Sequence, residues 1–174
     1  RPYLLELNAY ENIVCAVLKP PFRLAILDVK GADRLRQDFP GVSRWAVGGH
    51  SLGGAAACRY VEKNMEDENL EGLVLLAAYS DVDLRPWRGK ALRVSAGMDR
   101  VMDRERYESA MSLLPPPPDT IVYFLSNGNH SGFGNYGSQR GDGRAATSTS
   151  SQREDVVAVT GAFLKGRMAP GTEM

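Results

Sequence analysis

The chain has 174 residues, enough for one domain with a sizeable core. Its 21 basic residues balance 21 acidic ones, so it lacks the electrostatic footprint of a nucleic-acid or acidic-membrane binder. No apolar run reaches membrane-spanning length, and Cys15 and Cys58, both in apolar stretches, read as buried free thiols rather than a disulfide framework.

In chain order, residues 3–7 read as a short strand and residues 9–18 as a helix, broken by Pro20-Pro21. Residues 24–39 have helical spacing, with Leu24, Leu27, Ala32 and Leu35 on neighbouring turns, and Pro40-Gly41 ends them. A strand over 45–49, a helix over 52–66 and strands over 72–78 and 91–97 follow. Then come a helix over 103–114, a stiff extended connector from Pro115 to Pro118, and a strand over 120–125. The Gly-, Ser- and Thr-rich residues 137–152 read as one long surface loop before a last helix over 153–165. A continuous apolar run such as Leu73 to Ala78 is a strand buried on both faces, and helices between such strands imply a parallel sheet. The expected class is therefore α/β: a mostly parallel sheet flanked by helices on both faces, in a single domain over 1–174.

Gly49-His50-Ser51-Leu52-Gly53 lies between the apolar run ending at Gly48 and the helix-forming run Gly54-Ala55-Ala56-Ala57. A serine between strand and helix needs a strained backbone to lift its hydroxyl clear of the sheet, and the glycines two positions to either side are expected to keep that turn free of clashes. The helix start offers free N–H groups, so the backbone N–H of Leu52 is the expected oxyanion donor. Such a serine needs a base, and the chain has two histidines. His50 is the serine's neighbour and is expected to point away from its hydroxyl, which leaves His130, on a polar loop after the 120–125 run. The acid follows the serine and precedes the histidine in this arrangement. Asp99, in the turn after the 91–97 strand, is the expected orienting carboxylate; Asp81 and Asp83 are rivals after the preceding strand, and Asp103 reads as a helix cap. Between Ser51 and Asp99 there is room for one helix, one strand and a connection, and none for a cap domain.

Three segments resemble the α/β-hydrolase superfamily, in particular its dienelactone-hydrolase-like branch. They are Arg44-Trp45-Ala46-Val47-Gly48-Gly49-His50-Ser51-Leu52-Gly53-Gly54 at the elbow, Gly97-Met98-Asp99 at the acid turn, and the histidine loop from Gly128-Asn129-His130-Ser131-Gly132 through Gln139 and Gly141-Asp142-Gly143. The last is the longest and most specific. The resemblance runs from about residue 20 to 164 and implies the same Ser51, Asp99 and His130 assignment, but no substrate. Such proteins carry strands before the first helix, a Gly-rich loop with the second oxyanion donor, and a further strand ahead of a segment like Lys19-Pro20-Pro21-Phe22. The chain departs from this, so it is expected to be incomplete at its N-terminus and near residues 18–19; Arg1-Pro2 is also not a natural start.

Other motifs fail. Glycines 48, 49, 53 and 54 space neither as a dinucleotide nor as a P-loop site, and the cysteines and histidines have no zinc-ligand spacing. Arg140-Gly141-Asp142 falls inside the histidine-loop resemblance and reads as a chance adhesion tripeptide. Trp87, Tyr123 and Tyr136 read as core or loop anchors before pocket lining. The expectation is a serine hydrolase acting on a small-molecule carboxylic ester or related acyl compound with water, using no metal, cofactor or nucleic acid. The alternative is a hydrolase-fold subunit with a binding or assembly role in a larger complex.

Overall fold

Largely apolar runs become four parallel strands: β1 (Trp45–His50), β2 (Leu70–Leu76), β3 (Lys90–Ala96) and β4 (Thr120–Leu125), hydrogen-bonded in that order. The computed structural model describes residues 6–7, 13–18, 31–134 and 136–166. Among these, α1 spans Gly31–Asp38, α2 Leu52–Lys63, α3 Arg104–Ser109 and α4 Thr149–Leu164. The register aligns Val47 with Leu73, Leu73 with Ala91 and Ala91 with Thr120, so like-facing residues stack across the sheet.

Strand alternation sorts the core into two layers. Leu73 and Leu75 of β2 pack with Cys58, Tyr60 and Val61 of α2 on one face. Val74 and Leu76 face the other way, in a cluster with Leu92 and Val94 of β3, Ile121 and Tyr123 of β4, and Val156, Val159 and Phe163 of α4. The sheet is thus buried on both faces, as its continuous apolar runs require. Each fully buried leucine, such as Leu73, contributes about 2–3 kcal/mol relative to exposure. Leu84 and Trp87, in the connection from β2 to β3, are buried in the first layer, so that connection is packed down rather than raised as a cap.

Most element boundaries moved by a few residues, with local causes. α2 stops at Lys63 because the Asn64 side chain donates to the Tyr60 carbonyl at 2.8 Å. The expected helix over 103–114 is α3 followed by a tighter 3₁₀ turn, Ala110–Leu113, where Ser109 and Ser112 hydroxyls donate to carbonyls three residues back. Asp103 caps α3, accepting from the Arg106 N–H at 3.1 Å. The proline connector is a turn rather than an extended rod, closed by Asp119 N–H donating to the Pro116 carbonyl at 3.0 Å. α4 starts four residues before the expected 153, because Ser148 caps it by accepting from the Ser151 N–H at 3.1 Å.

Two expectations at the N-terminal end change. Residues 3–5 lie outside the described residues, but Glu6 and Leu7 are helical, not extended. A five-residue apolar run cannot separate the two states, and Leu and Glu favour helix. Of the expected helix over 9–18, residues 9–12 lie outside the described residues and 13–18 have no regular structure, with Val14 and Val17 exposed. Cys15 is accordingly half-buried in an irregular segment, whereas Cys58 is buried in α2. The expected helix over 24–39 is seen as α1 at its C-terminal end, residues 24–30 lying outside the described residues.

Candidate active site

β1 delivers the chain to Ser51, whose backbone is forced to φ 54°, ψ −122° before α2 begins. A serine held in that region is strained, and the strain is locked by its neighbours: the Ser51 N–H donates to the Leu76 carbonyl at 3.0 Å, and the Ser51 carbonyl accepts from Gly54 N–H at 2.9 Å. The glycine reasoning holds on one side only. A Cβ at Gly49 would collide with the Gly53 backbone, but a Cβ at Gly53 meets nothing within 4 Å. The second constrained glycine is Gly54, where a Cβ would collide with the Ala78 Cβ. Ala77, at the end of the adjacent strand, also has positive φ (44°), so the backbone turns sharply on both strands behind the serine.

The acid turn follows β3. The Asp99 Oδ1 accepts from the Val101 and Met102 N–H groups at 2.8 and 2.9 Å, which aims Oδ2 at the histidine loop. Nδ1 of His130 lies 2.7 Å from that oxygen, and both side chains are almost fully buried. Burial alone would raise the Asp99 carboxyl, but the bonds from His130, Met102 and Val101 outweigh it and hold it below its ordinary value. An ionised carboxylate only accepts, so the neutral imidazole carries its proton on Nδ1 and presents a lone pair on Nε2. His130 Nε2 is buried and has no hydrogen-bond partner. Further along, buried Arg93 of β3 stacks 3.4 Å over the Tyr107 ring and donates to the Tyr107 carbonyl, tying β3 to the helix behind the acid turn.

The rival acids are engaged elsewhere. Asp81 pairs with Arg59 at 2.5 Å and Asp83 with Arg85 at 2.6 Å, both on the surface. The Arg85 guanidinium and backbone N–H hold the Asp83 carboxyl down to about 2.

The histidine loop is fastened at two places. The Asp142 carboxylate accepts from the Ser131 N–H at 2.8 Å, the Ser131 hydroxyl at 2.7 Å and the His130 N–H at 3.3 Å. The aspartate of the adhesion-like tripeptide is therefore turned inward. Burial raises the Asp142 carboxyl, and its bonds from Ser131, Arg100 and His130 pull it below the ordinary value. On the other side, buried Gln152 grips both backbone groups of Asn129, accepting from its N–H at 3.1 Å and donating to its carbonyl at 2.8 Å. Sequence reasoning missed Gln152, which sat inside the expected loop. Its one signal is the pair Gly128 and Gly132, at both of which a Cβ would press on the Gln152 side chain.

His50 was also underread. Its ring lies 4.5 Å from that of His130, so it belongs to the site. Burial, then the neighbouring His130, push its pKa down to about 4, with Asp99, the His130 backbone and Asp142 offsetting this in part. It is neutral at physiological pH. Trp87 and Tyr123 are core residues, whereas Tyr136 is exposed beside His50. A cavity of about 1340 Å³ has Gly49, His50, Gly53 and Phe133 at one part of its wall, but Ser51, Asp99 and His130 do not line it. Among the described residues no His, Cys, Asp or Glu group of three is placed to hold a metal ion, and no helix is long and apolar enough to cross a membrane.

Residues 4–154, most of the chain, match the profile of the alpha/beta hydrolase family. The chain belongs to that family. No curated protein matches it. Solved structures share the α/β-hydrolase fold. A predicted CIB-like hydrolase from Thermoplasma acidophilum aligns at 19% identity and TM-score 0.54, covering 80% of this chain and 60% of that one. The esterase domain of a Rhodothermus marinus protein aligns at 18% identity and TM-score 0.57, covering 81% and 68%. A thermophilic esterase from Thermogutta terrifontis aligns at 10% identity and TM-score 0.62, covering 96% and 86%. At these identities the likeness is one of fold, and the chain spans 60% of the Thermoplasma protein's length.

Proposed function

We propose that this α/β-hydrolase is a serine hydrolase that cleaves a carboxylic ester or related acyl substrate through an acyl-enzyme. The observation that carries the reading is the buried 2.7 Å pair of His130 and Asp99, with the His130 ring beside that of His50, the residue before a serine held at positive φ. Nε2 of His130 takes the proton as Ser51 Oγ bonds to the substrate carbonyl carbon, and the carbonyl π pair becomes an oxyanion that the Leu52 N–H stabilises. Collapse of the tetrahedral species breaks the ester C–O bond, and the imidazolium returns its proton to the leaving alkoxide. Water then repeats the sequence in place of the serine and releases the acid. Asp99 keeps the proton on Nδ1 and stabilises the imidazolium. The resemblance of the histidine loop to the dienelactone-hydrolase-like branch supports the same roles. Among the described residues the packed connection between β2 and β3 forms no cap, which favours a soluble, small-to-medium substrate.

An activated aryl ester tests the reading. Acid quench during turnover, followed by intact-mass measurement, is expected to find one acyl group on Ser51. Turnover with no covalent species, unaffected by Ser51→Ala, would put the chemistry elsewhere.

A further inference from the structure

The proposed mechanism has no use for His50, yet the fold places it with care. β1 fixes its backbone opposite Leu76, directly before Ser51. Its ring meets that of His130 at 4.5 Å with planes tilted by 51°. It also stacks on Tyr136 at 5.9 Å, planes 19° apart, and meets Phe133 at 5.9 Å. Its Nε2 is buried without a hydrogen bond, an unfavourable state for a polar atom and one that an apolar ring would avoid. Nε2 is therefore not what holds this ring in place.

The 2.7 Å bond from Nδ1 to Asp99 holds one edge of the imidazole, and a tilt of the ring would both loosen that bond and redirect Nε2. A surface against the ring opposes that tilt. We propose that His50 is a positioning residue whose ring packs against that of His130 and limits the plane from which Nε2 can approach the Ser51 hydroxyl. This rests on the Ser51, His130 and Asp99 reading above. Because serine and wall are consecutive residues on one rigid strand end, the plane of the base is referenced to the nucleophile itself. The groups around the His50 ring are His130, Tyr136 and Phe133 of the histidine loop, Asp142 beyond them and Asp99 of the acid turn. The ring stays uncharged, so it does not repel the imidazolium that forms on His130 during turnover.

His50→Ala, His50→Leu and His50→Phe test this with two readouts. One is the rate of covalent labelling by a fluorophosphonate. The other is the tautomer of His130, read from two-bond ¹H–¹⁵N correlations, in which His130 is the sole histidine of each variant. His50→Ala, or His50→Leu where the alanine variant does not fold, is expected to slow labelling roughly 10- to 100-fold and to mix the His130 tautomers. His50→Phe restores the flat face and is expected to recover most of the rate and the single Nδ1–H tautomer. Labelling at the wild-type rate in the alanine and leucine variants would overturn the proposal. So would a phenylalanine variant as slow as alanine, since the imidazole nitrogen would then be what matters. If wild-type protein does not label at all, the hydrolase reading falls and the tautomer decides alone: mixed in Ala or Leu and single in Phe keeps the positioning role, and no difference removes it.

Discussion

The carboxylate of Asp142 closes on Ser131, 2.7 Å from its hydroxyl and 2.8 Å from its N–H, so a loop eleven residues downstream holds the residue after the proposed base. His130 is positioned by Asp99 at its ring and by Asp142 at its backbone. The two aspartates do separate jobs, and the second is structural.

Asp142→Ala removes an ionised acceptor from several backbone N–H groups at once. It is expected to destabilise the fold by about 1–3 kcal/mol, the usual cost of losing hydrogen bonds to a charged group. Urea unfolding measures this directly. The slope should be unchanged, since the loop is a small part of the exposed surface. A variant with the wild-type midpoint would show that Asp142 merely decorates the loop.

Gly132 and Gln152 are expected to be coupled. A Cβ at Gly132 would collide with the Gln152 amide oxygen, which already holds Asn129. Gly132→Ala should therefore destabilise strongly in the wild-type background and much less once Gln152→Ala has removed the obstacle. The interaction energy in this double-mutant cycle should exceed about 1 kcal/mol, against additivity within a few tenths for independent sites. Additive losses would mean that the alanine methyl is accommodated by moving the loop and not by moving Gln152.

Stability should fall on the acid side from two sources with the same sign. His50 has an ordinary value of 6.5 and a folded value of about 4, so between these the unfolded chain binds more protons than the native one. Its stabilising contribution is complete above pH 6.5 and is lost as the pH falls toward 4, a change of about 3 kcal/mol. Asp99 is depressed below the ordinary carboxylate value, so its contribution is lost at still lower pH, as the carboxyl protonates. Denaturation at a series of pH values should show both losses in wild type and only the lower one in His50→Phe. Equal stability at pH 7 and pH 5 in the wild-type protein would remove the His50 account.

The sequence was most legible where one residue type has one use. Continuous apolar runs marked β2, β3 and β4, and a serine between glycines at a strand end marked the elbow, because alternative structures for those residues are few. The acid turn followed from strand position alone, and its pairing with His130 needed only that successive strand ends lie side by side. The other long-range side-chain bonds were not legible. Nothing local to Gln152 distinguishes an anchor from a solvated loop glutamine. Its helix begins with Thr-Ser-Ser, a composition that reads as loop until Ser148 is seen to cap it. His50 is expected to point away from the serine hydroxyl, and what that expectation leaves out is where the ring goes: it meets the histidine loop. Gly53 is the reverse case: the motif demands it, but space does not.

Covalent labelling tests the central claim most directly. Intact protein is treated with a fluorophosphonate and weighed, alongside Ser51→Ala, His130→Ala and Asp99→Asn. The account predicts one adduct on Ser51 in wild type, none in Ser51→Ala, and labelling slowed by orders of magnitude in the other two, with all four melting cooperatively. Wild-type protein that folds and does not label, or Ser51→Ala that labels as fast as wild type, would contradict it.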